Sequence, residues 1–437
     1  MSITTPTTAR SGLQSTLQLG VIAIAAALAV ACGGGGVGSN STGSAGGFTS
    51  GTVTGFGSII VNGARYDDST ATGSITGDDD SSVQASSIKL GMEVEIEHSG
   101  VFTCPADTTQ LCKASASSIS YGASLSGPVS ANTAVLTGGL VTGGTLTLLG
   151  QTVVLTDATI FVGFGTTGFD STYAGQVEVH GIFDNATGQL TATRVEAKSN
   201  LLAFRLRGLV SGLDTVKQTA LIGNQTVSFK ENLSAQFASL VSGAVVRVKL
   251  DPVKNTDGNW VATKLKTKKH EHVNGEHAEL EGTVASLATE GKTFKVNGVT
   301  VDYSSTSLVY ENGSAADLSV AGARVEVKGD FVNGTLVATK IEFKKPGDKL
   351  KGNLEYHVTV TAAIAPTATT FTATNSSGTS FTFDIGALVI TPGIVAVGNS
   401  VEIKGYLAAD GTTIVVKSVK SDSSSSSSPD DKKGKSS

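Results

Sequence analysis

The chain has little of what elongated or nucleic-acid-binding proteins need. Of its 437 residues, 8 are prolines, 3 are cysteines and 1 is a tryptophan, and charged residues make up only 16 %. With so few prolines the 53 glycines do not indicate collagen, and with so few charges the sequence does not favour long helices. Aromatic residues at 5 % and a net charge of −5 argue against nucleic acid as a partner. The hydrophobic fraction of 39 % still supports small folded cores.

The short motifs of common catalytic sites are also absent. The sequence contains no Gly-x-Ser-x-Gly elbow, no His-Glu-x-x-His and no P-loop. Residues 163–168 have the spelling of a dinucleotide-binding loop, but a further strand rather than a helix is predicted to follow them. The recurring Val-Glu-Val glutamates occupy equivalent places in different repeats, so any two of them are too far apart for paired acid and base catalysis. Their alternation with valine predicts that they lie on solvated outer faces. We therefore expect no enzymatic activity.

The N-terminus has the composition of an export signal. Residues 1–31 carry one charge, Arg10, and an uncharged run over 21–30 that is too short to span a bilayer. Small residues then lead into Cys32, in a pattern that resembles a bacterial lipobox. The sequence predicts a lipoprotein signal peptide over 1–31, then a lipidated Cys32 at the start of a flexible Gly/Ser tether over 32–47. Cleavage by the ordinary signal peptidase, which leaves Cys32 unmodified in a pro-segment, is the alternative.

This start predicts where the protein is found. We expect it in the bacterial cell envelope, held by its lipid at the outer membrane and facing the periplasm or the cell surface. In that oxidising compartment the two other cysteines, Cys104 and Cys112, are predicted to form a disulfide. Closing so short a loop contributes about 2 to 3 kcal/mol in the chain-entropy model. A metal or redox role is the weaker interpretation, because neither cysteine belongs to a Cys-x-x-Cys pair.

Self-comparison reveals a fivefold repeat. A glycine followed by an alternating apolar and polar strand recurs at 91–96, 175–179, 243–248, 322–327 and 398–403. Hairpins precede these strands, some with an Asn-Gly turn, and a further strand follows each. About five short strands in roughly 70 residues predict an all-β chain of tandem small five-stranded barrels, in an order compatible with the oligonucleotide/oligosaccharide-binding (OB) type. Small β-sandwiches are the alternative.

The repeats divide the chain into segments. We predict the barrels over 48–122, 123–199, 200–270, 271–346 and 347–422. The Ser-rich tail over 423–437 cannot bury apolar surface and is predicted to be disordered.

Two segments of the first repeat carry a family resemblance. They are Gly55-Phe-Gly-Ser-Ile-Ile-Val-Asn-Gly-Ala-Arg-Tyr-Asp67 and Leu90-Gly-Met-Glu-Val-Glu-Ile96, which follow a Cys-Gly-Gly-Gly-Gly start. This combination resembles the bacterial family called domain of unknown function 5666. The resemblance is close in the first repeat, fair in the fourth, and weaker in the others, which lack the Phe-Gly-Ser opening. It implies an exported tandem barrel protein and brings no activity or catalytic residue.

Charge is divided unevenly between the repeats. Residues 51–122 contain 3 basic and 9 acidic residues, whereas 200–270 contain 11 basic and 4 acidic ones. The candidate anion-binding residues of this basic third repeat are Arg205, Arg207, Lys264, Lys266 and Lys268. Because side chains alternate along a strand, the three lysines should share one face, which could meet the charged groups of an anionic glycan. The alternative is a solvated face, with acidic and basic repeats attracting each other along the chain.

Three histidines lie at the junction of the third and fourth repeats. His270, His272 and His277, with Glu271 or Glu276, could converge on one divalent transition metal ion, Zn²⁺, Ni²⁺ or Cu²⁺. The alternative is a polar linker, and no other cofactor is expected. The remaining histidines, at 98, 180 and 357, are interpreted as ordinary strand or surface residues.

The leading functional hypothesis is therefore a non-catalytic envelope lipoprotein that acts as a multi-domain binding or spacer protein. Metal binding at the junction and anionic glycan binding by the third repeat are the alternatives, and envelope proteins are further possible partners.

Overall fold

The structure is a computed structural model. It describes residues 46–71, 74–77, 80–104, 111–165, 168–266, 270–344, 354–364, 368–408 and 412–422. The predicted signal peptide, the lipidation residue Cys32, nearly all of the tether, Lys268 and the Ser-rich tail lie outside these ranges.

Strands and a few short helices follow the repeats. The first repeat contains β1 (Gly47–Phe56), β2 (Ile59–Val61), β3 (Ala64–Asp67), β4 (Ile75–Thr76), β5 (Glu93–His98) and β6 (Lys113–Tyr121), with 3₁₀ turns at Ser69–Ala71 and Ala85–Ser87. The second contains β7 (Leu125–Asn132), β8 (Val135–Thr137), β9 (Leu140–Gly143), β10 (Thr145–Leu148), β11 (Gln151–Val154), β12 (Ile160–Val162), β13 (Gln176–Phe183) and β14 (Leu190–Lys198). The third contains β15 (Phe204–Asp214), β16 (Thr219–Ile222), β17 (Gln225–Phe229), a 3₁₀ turn at Glu231–Leu233, α1 (Ser234–Ala238), β18 (Val245–Leu250) and β19 (Trp260–Lys266).

The fourth contains β20 (His277–Thr283), β21 (Ala285–Ala288), β22 (Thr293–Val296), β23 (Val299–Asp302), β24 (Val309–Glu311), a 3₁₀ helix at Ala315–Ser319, β25 (Arg324–Val332) and β26 (Thr335–Lys344). The fifth contains β27 (Leu354–Ala362), β28 (Thr370–Thr374), β29 (Ser380–Asp384), β30 (Ser400–Leu407) and β31 (Thr413–Ser421). Within the described ranges, no helix has the length and apolar character needed to cross a bilayer.

Five main strands close on themselves in every repeat. In the first repeat, β1 pairs antiparallel with β2 and β5, β2 with β3, and β5 with β6, and β3 pairs with β6 in parallel. The same cycle recurs in the second, third and fifth repeats, and in the fourth with β20 and β21 together as its first strand. The cyclic order 1-2-3-5-4-1 is a closed Greek-key barrel. The all-β prediction is confirmed, and the barrel rather than the sandwich forms.

The barrels pack against one another, with the first barrel in contact with the other four. The start of β1 pairs in parallel with β20, and its end pairs in parallel with β27. On other sides, Thr193 of the second barrel donates a hydrogen bond of 2.6 Å to the carbonyl of Gly91, and Arg207 of the third barrel contacts Glu93. Apolar clusters also cross barrel boundaries, because Phe48 of the first barrel joins the core of the fourth.

Steric contact explains why glycine occupies two positions of the Gly-Phe-Gly segment at the end of β1. A Cβ atom on Gly55 would lie 2.1 Å from the carbonyl oxygen of Glu355, and one on Gly57 would lie 2.2 Å from that of His357. Both carbonyls belong to β27 of the fifth barrel. Glycine is therefore needed here because two barrel backbones approach more closely than any side chain permits.

The predicted disulfide between Cys104 and Cys112 is confirmed. Their Cα atoms are 4.2 Å apart, and an isolated bridge between Thr103 and Lys113 brings the two chain segments together just outside the bond. The bond therefore joins the two ends of the loop between β5 and β6 in the first barrel.

Candidate functional site

Some of the outward-facing glutamates of the barrels are covered by neighbouring side chains. The Val-Glu-Val glutamates do point outward from their barrels, yet Glu326 is only 2 % exposed and Glu402 only 8 %. Glu326 forms an ion pair of 2.7 Å with Lys344 of the adjacent strand. The prediction of solvated faces was wrong at these positions, because strand alternation separates the inside of a barrel from its outside and says nothing about what packs on the outside.

Glu178, the equivalent glutamate of the second barrel, makes stability depend on pH. Burial opposes its ionisation, but a hydrogen bond from His180 and the nearby positive charges lower its pKa to about 2. Because this value lies below the ordinary 4.5, the stabilisation is complete above about pH 4.5 and is lost as the pH falls towards 2. We expect Glu178→Gln to lower the free energy of unfolding by about 3 kcal/mol at pH 7, and by much less at pH 2.5.

Urea unfolding of the natural protein and of Glu178→Gln across this pH range measures the difference in their free energies of unfolding. Glu290→Gln, at an exposed position, is the matched control and should leave the unfolding curve unchanged. A pH-independent difference between Glu178→Gln and the natural protein would show that the carboxylate charge is not responsible.

The third barrel carries a block of basic residues on three neighbouring strands. Arg207 lies opposite Arg247, and Arg247 lies opposite Lys266. Arg205 lies opposite Lys249, which in turn lies opposite Lys264. Like charges directly opposite each other destabilise a sheet, so this block requires counter-charges from elsewhere.

The first barrel supplies those counter-charges. Arg207 forms an ion pair of 3.0 Å with Glu93, and Arg247 lies 3.9 Å from Glu95. Asp80 binds two of the three predicted lysines, at 2.6 Å from Lys264 and 3.4 Å from Lys266. The carboxylates of the acidic repeat thus neutralise part of the basic one, whereas binding of an anionic glycan stays a prediction.

A cleft of about 630 Å³ opens between the first, third and fourth barrels. Its charged wall contains Glu93 and Glu95 from the first barrel, Arg207, Arg247 and Lys266 from the third, and Lys295 from the fourth. The rings of His270 and His272 also line it. Two of the three predicted junction histidines therefore border this cleft.

His270, His272 and Glu276 converge on one another at this cleft. Glu276 is buried, with one carboxylate oxygen 2.7 Å from Nε2 of His270 and the other 2.8 Å from Nδ1 of His272. One ligand atom from each residue lies within 4.8 Å of the other two. Two imidazoles and one carboxylate are a donor set that suits Zn²⁺, Ni²⁺ and Cu²⁺.

The two imidazole rings are held in place by their neighbours. The ring of His270 stacks on Phe48 at 4.5 Å, and that of His272 stacks on Phe331 at 3.8 Å. Glu97 of the first barrel lies 3.0 Å from Nδ1 of His270. Both ring nitrogens of His270 therefore face carboxylates and donate to them in the metal-free cluster. A metal would displace the proton on Nε2, and Glu97 on Nδ1 would then hold the ring in the usual outer-shell arrangement of metal-bound histidines.

The same contacts set the ionisation of the metal-free cluster. Burial opposes ionisation of Glu276, but the hydrogen bonds from His270 and His272 hold its pKa at about 2. The hydrogen bond to Glu276 raises the pKa of His270 above its usual value. The carboxylate is thus charged at neutral pH and available as a ligand.

Two of the five predicted ligands lie elsewhere. Nδ1 of His277 lies 3.0 Å from Asp330, and its other ring nitrogen faces Glu279 at 3.9 Å. Glu271 is exposed and does not belong to the converging group. His277 begins β20, where Glu279 of the same strand and Asp330 of β25 contact its ring apart from the converging group.

A second converging group lies in the fifth barrel, where sequence reasoning treated His357 as ordinary. His357 lies 2.9 Å from both Glu355 and Asp422, and Glu402 completes the group. Lys404 approaches Glu355 at 3.1 Å. Lys404 also lies 3.5 Å from Glu402, so the lysine and the imidazole together pair with all three carboxylates in an internal ion-pair network. The signal for it was the spacing of Glu355 and His357, which puts both on one face of a strand.

Two regions of the chain, residues 126–196 and 281–342, match the family described as "Domain of unknown function (DUF5666)". They lie in the second and fourth repeats, so the family resemblance is confirmed. The second repeat matches without the Phe-Gly-Ser opening, and the first repeat, expected to show the closest resemblance, is not among the matched regions.

No curated protein matches the chain. A solved structure titled "drosophila Unr CSD456" is 14 % identical, and the match covers 51 % of this chain and 98 % of that one with a TM-score of 0.12. That TM-score is too low for the similarity to bear on fold or function.

Proposed function

Since two of its five barrels match the DUF5666 family, which implies no activity, we propose that this chain is a non-catalytic, metal-binding protein of the bacterial cell envelope. His270, His272 and Glu276 bind one divalent transition metal ion. The observation that carries this proposal is the position of Glu97, whose carboxylate lies on Nδ1 of His270 while Nε2 of the same ring faces Glu276. Once a metal displaces the proton on Nε2, Glu97 on Nδ1 orients the ring as outer-shell carboxylates do at metal-bound histidines.

The surroundings of the cluster support a bound ion over a solvated linker. Phe48 and Phe331 fix both rings, so little side-chain entropy is lost when a metal binds. Three protein ligands leave at least one coordination position, and both rings line the cleft. The ion therefore stays accessible to exchange and to a further ligand from solution.

Replacement of Glu276 by glutamine or of His270 by alanine is expected to weaken Ni²⁺ binding by about 100-fold, because each removes one of three ligands. Glu97→Gln removes only the partner that orients His270 and is expected to weaken binding about tenfold. Isothermal titration calorimetry with Ni²⁺ at pH 7.5, repeated with Zn²⁺, measures all three variants.

His277→Ala is the matched control, since His277 lies seven residues from His270 but outside the cluster. Its affinity should equal that of the natural protein. Equal heats for the natural protein and for Glu276→Gln would dismiss the site, and a loss in His277→Ala equal to that in His270→Ala would show that the metal binds the linker nonspecifically.

The envelope location is the second part of the proposal. The export signal over 1–31 and the lipobox-like approach to Cys32 support it, as does the disulfide between Cys104 and Cys112, which is typical of oxidising compartments. Native mass spectrometry of protein purified from its own membranes tests it. The expected mass contains acyl chains on Cys32, and an unmodified cysteine or a retained signal peptide would contradict the anchor.

A further inference from the structure

Arg207 lines the cleft with part of its guanidinium unused. Its side chain is 9 % exposed, and its Nη1 donates to Glu93 at 3.0 Å and to Ser124 at 3.4 Å. Phe183 packs beneath the guanidinium at 5.2 Å. Among the described residues, Nε and Nη2 have no hydrogen-bond partner. Neither nitrogen is a sealed, unpaired donor, so both are open to an acceptor from the cleft that Arg207 lines.

The charges around the cleft favour an anion as that acceptor. Four cationic side chains line it, against the two carboxylates of Glu93 and Glu95, and one of the four, Lys266, is also paired with Asp80 at 3.4 Å. Lys295 is exposed at its rim and forms no ion pair within the described ranges. Arg247 lies 3.9 Å from Glu95, which is too long for a hydrogen bond. The cleft therefore keeps a positive excess after its internal pairs are counted.

We propose that this cleft binds a small multivalent oxyanion, a phosphate or a dicarboxylate, between Arg207 and Lys295, and that a metal ion on His270 and His272 strengthens its binding. The guanidinium fork matches the geometry of both oxyanions. The anion site stands on the cleft alone. Only the strengthening by metal rests on the proposed metal site, and linkage requires the anion to strengthen metal binding by the same factor.

Calorimetric titration of the full chain tests the anion site. Inorganic phosphate and succinate are titrated separately into metal-free protein and into protein loaded with Ni²⁺, in a buffer that contains neither anion. We expect binding of at least one anion to the metal-free protein and tighter binding to the loaded one. The two probes distinguish a phosphate ligand from a carboxylate ligand.

Two variants link the binding to the cleft. Arg207→Lys keeps the charge beside Glu93 but loses the fork, and Lys295→Gln removes an exposed charge without disturbing the fold. Each is expected to weaken binding of the anion by about tenfold, which is the effect of losing one charge-assisted hydrogen bond. Lys217→Gln, an exposed lysine of the third barrel outside the cleft, should bind as the natural protein does.

The outcomes separate the two proposals. Absence of binding for both anions, or equal affinity in the natural protein, Arg207→Lys and Lys295→Gln, overturns the anion site whatever the metal does. If Arg207→Lys fails to fold, the anion affinity of Lys295→Gln alone tests the anion site. Failure of Ni²⁺ to bind refutes the proposed function, and the anion site is then tested by the titrations of metal-free protein alone. Unchanged anion affinity on Ni²⁺ loading overturns the coupling alone.

Discussion

Truncation of Arg207 to alanine is expected to destabilise the packing of the third barrel on the first by about 3 kcal/mol, because it leaves Glu93 in a largely buried place without its partner. The side chains of Arg207 and Glu93 are 9 % and 15 % exposed, so solvent screens their ion pair only weakly. The double variant Glu93→Gln/Arg207→Ala removes both charges and should recover much of the loss.

Fluorescence of the single tryptophan, Trp260, reports on the third barrel during urea unfolding. Urea is used because guanidinium chloride would screen the ion pairs. The exposed pair of Asp214 and Lys217, 3.9 Å apart, gives the control, and Lys217→Ala should cost no more than about 0.5 kcal/mol. If Arg207→Ala costs no more than this control, charge does not hold the two barrels together.

Replacement of Gly329 by alanine is expected to cost roughly 2 to 3 kcal/mol in the fourth barrel. A Cβ atom there would lie 2.2 Å from the carbonyl oxygen of Val337 on the paired strand, at the point where the register of β25 and β26 shifts. Gly181 and Gly405 occupy the same bulge in the second and fifth barrels, with contacts of 2.2 Å and 2.4 Å. The backbone must open at the bulge to admit a methyl group.

Hydrogen exchange followed by mass spectrometry locates the effect, since β25 and β26 should lose protection while the other barrels keep theirs. Gly291→Ala is the control in the same barrel, because its only neighbour within 4 Å is the Thr293 hydroxyl at 3.8 Å. Equal protection in Gly329→Ala and Gly291→Ala would mean that the bulge tolerates a side chain.

The hairpins of these barrels could be predicted because their signals are local. Asn62-Gly63 and Asn297-Gly298 both have positive φ at the two turn positions, as an Asn-Gly hairpin requires. The Gly-led strands were likewise visible as a repeat. The bulge glycines Gly181, Gly329 and Gly405 were not predicted, because their close contact with the paired strand depends on a register that the sequence does not state.

The candidate site was predictable in part. The closeness of His270, His272 and Glu276 along the chain suggested a cluster, yet five residues qualified and the fold brought only three of them together. Glu97, which orients His270, lies 173 positions away in another barrel and gave no signal.

By itself, the sequence determined the all-β repeat, the disulfide pair and which face of each strand points into a barrel, because these follow from residues that are neighbours along the chain or one hairpin apart. Only the tertiary structure decided what lies on the outer faces. Arg207 meets Glu93 across 114 positions, and Thr52 donates its backbone N–H to Glu281 across 229. Such pairs depend on how closed barrels dock, and docking is set by the sum of shape and charge over whole surfaces rather than by any local pattern.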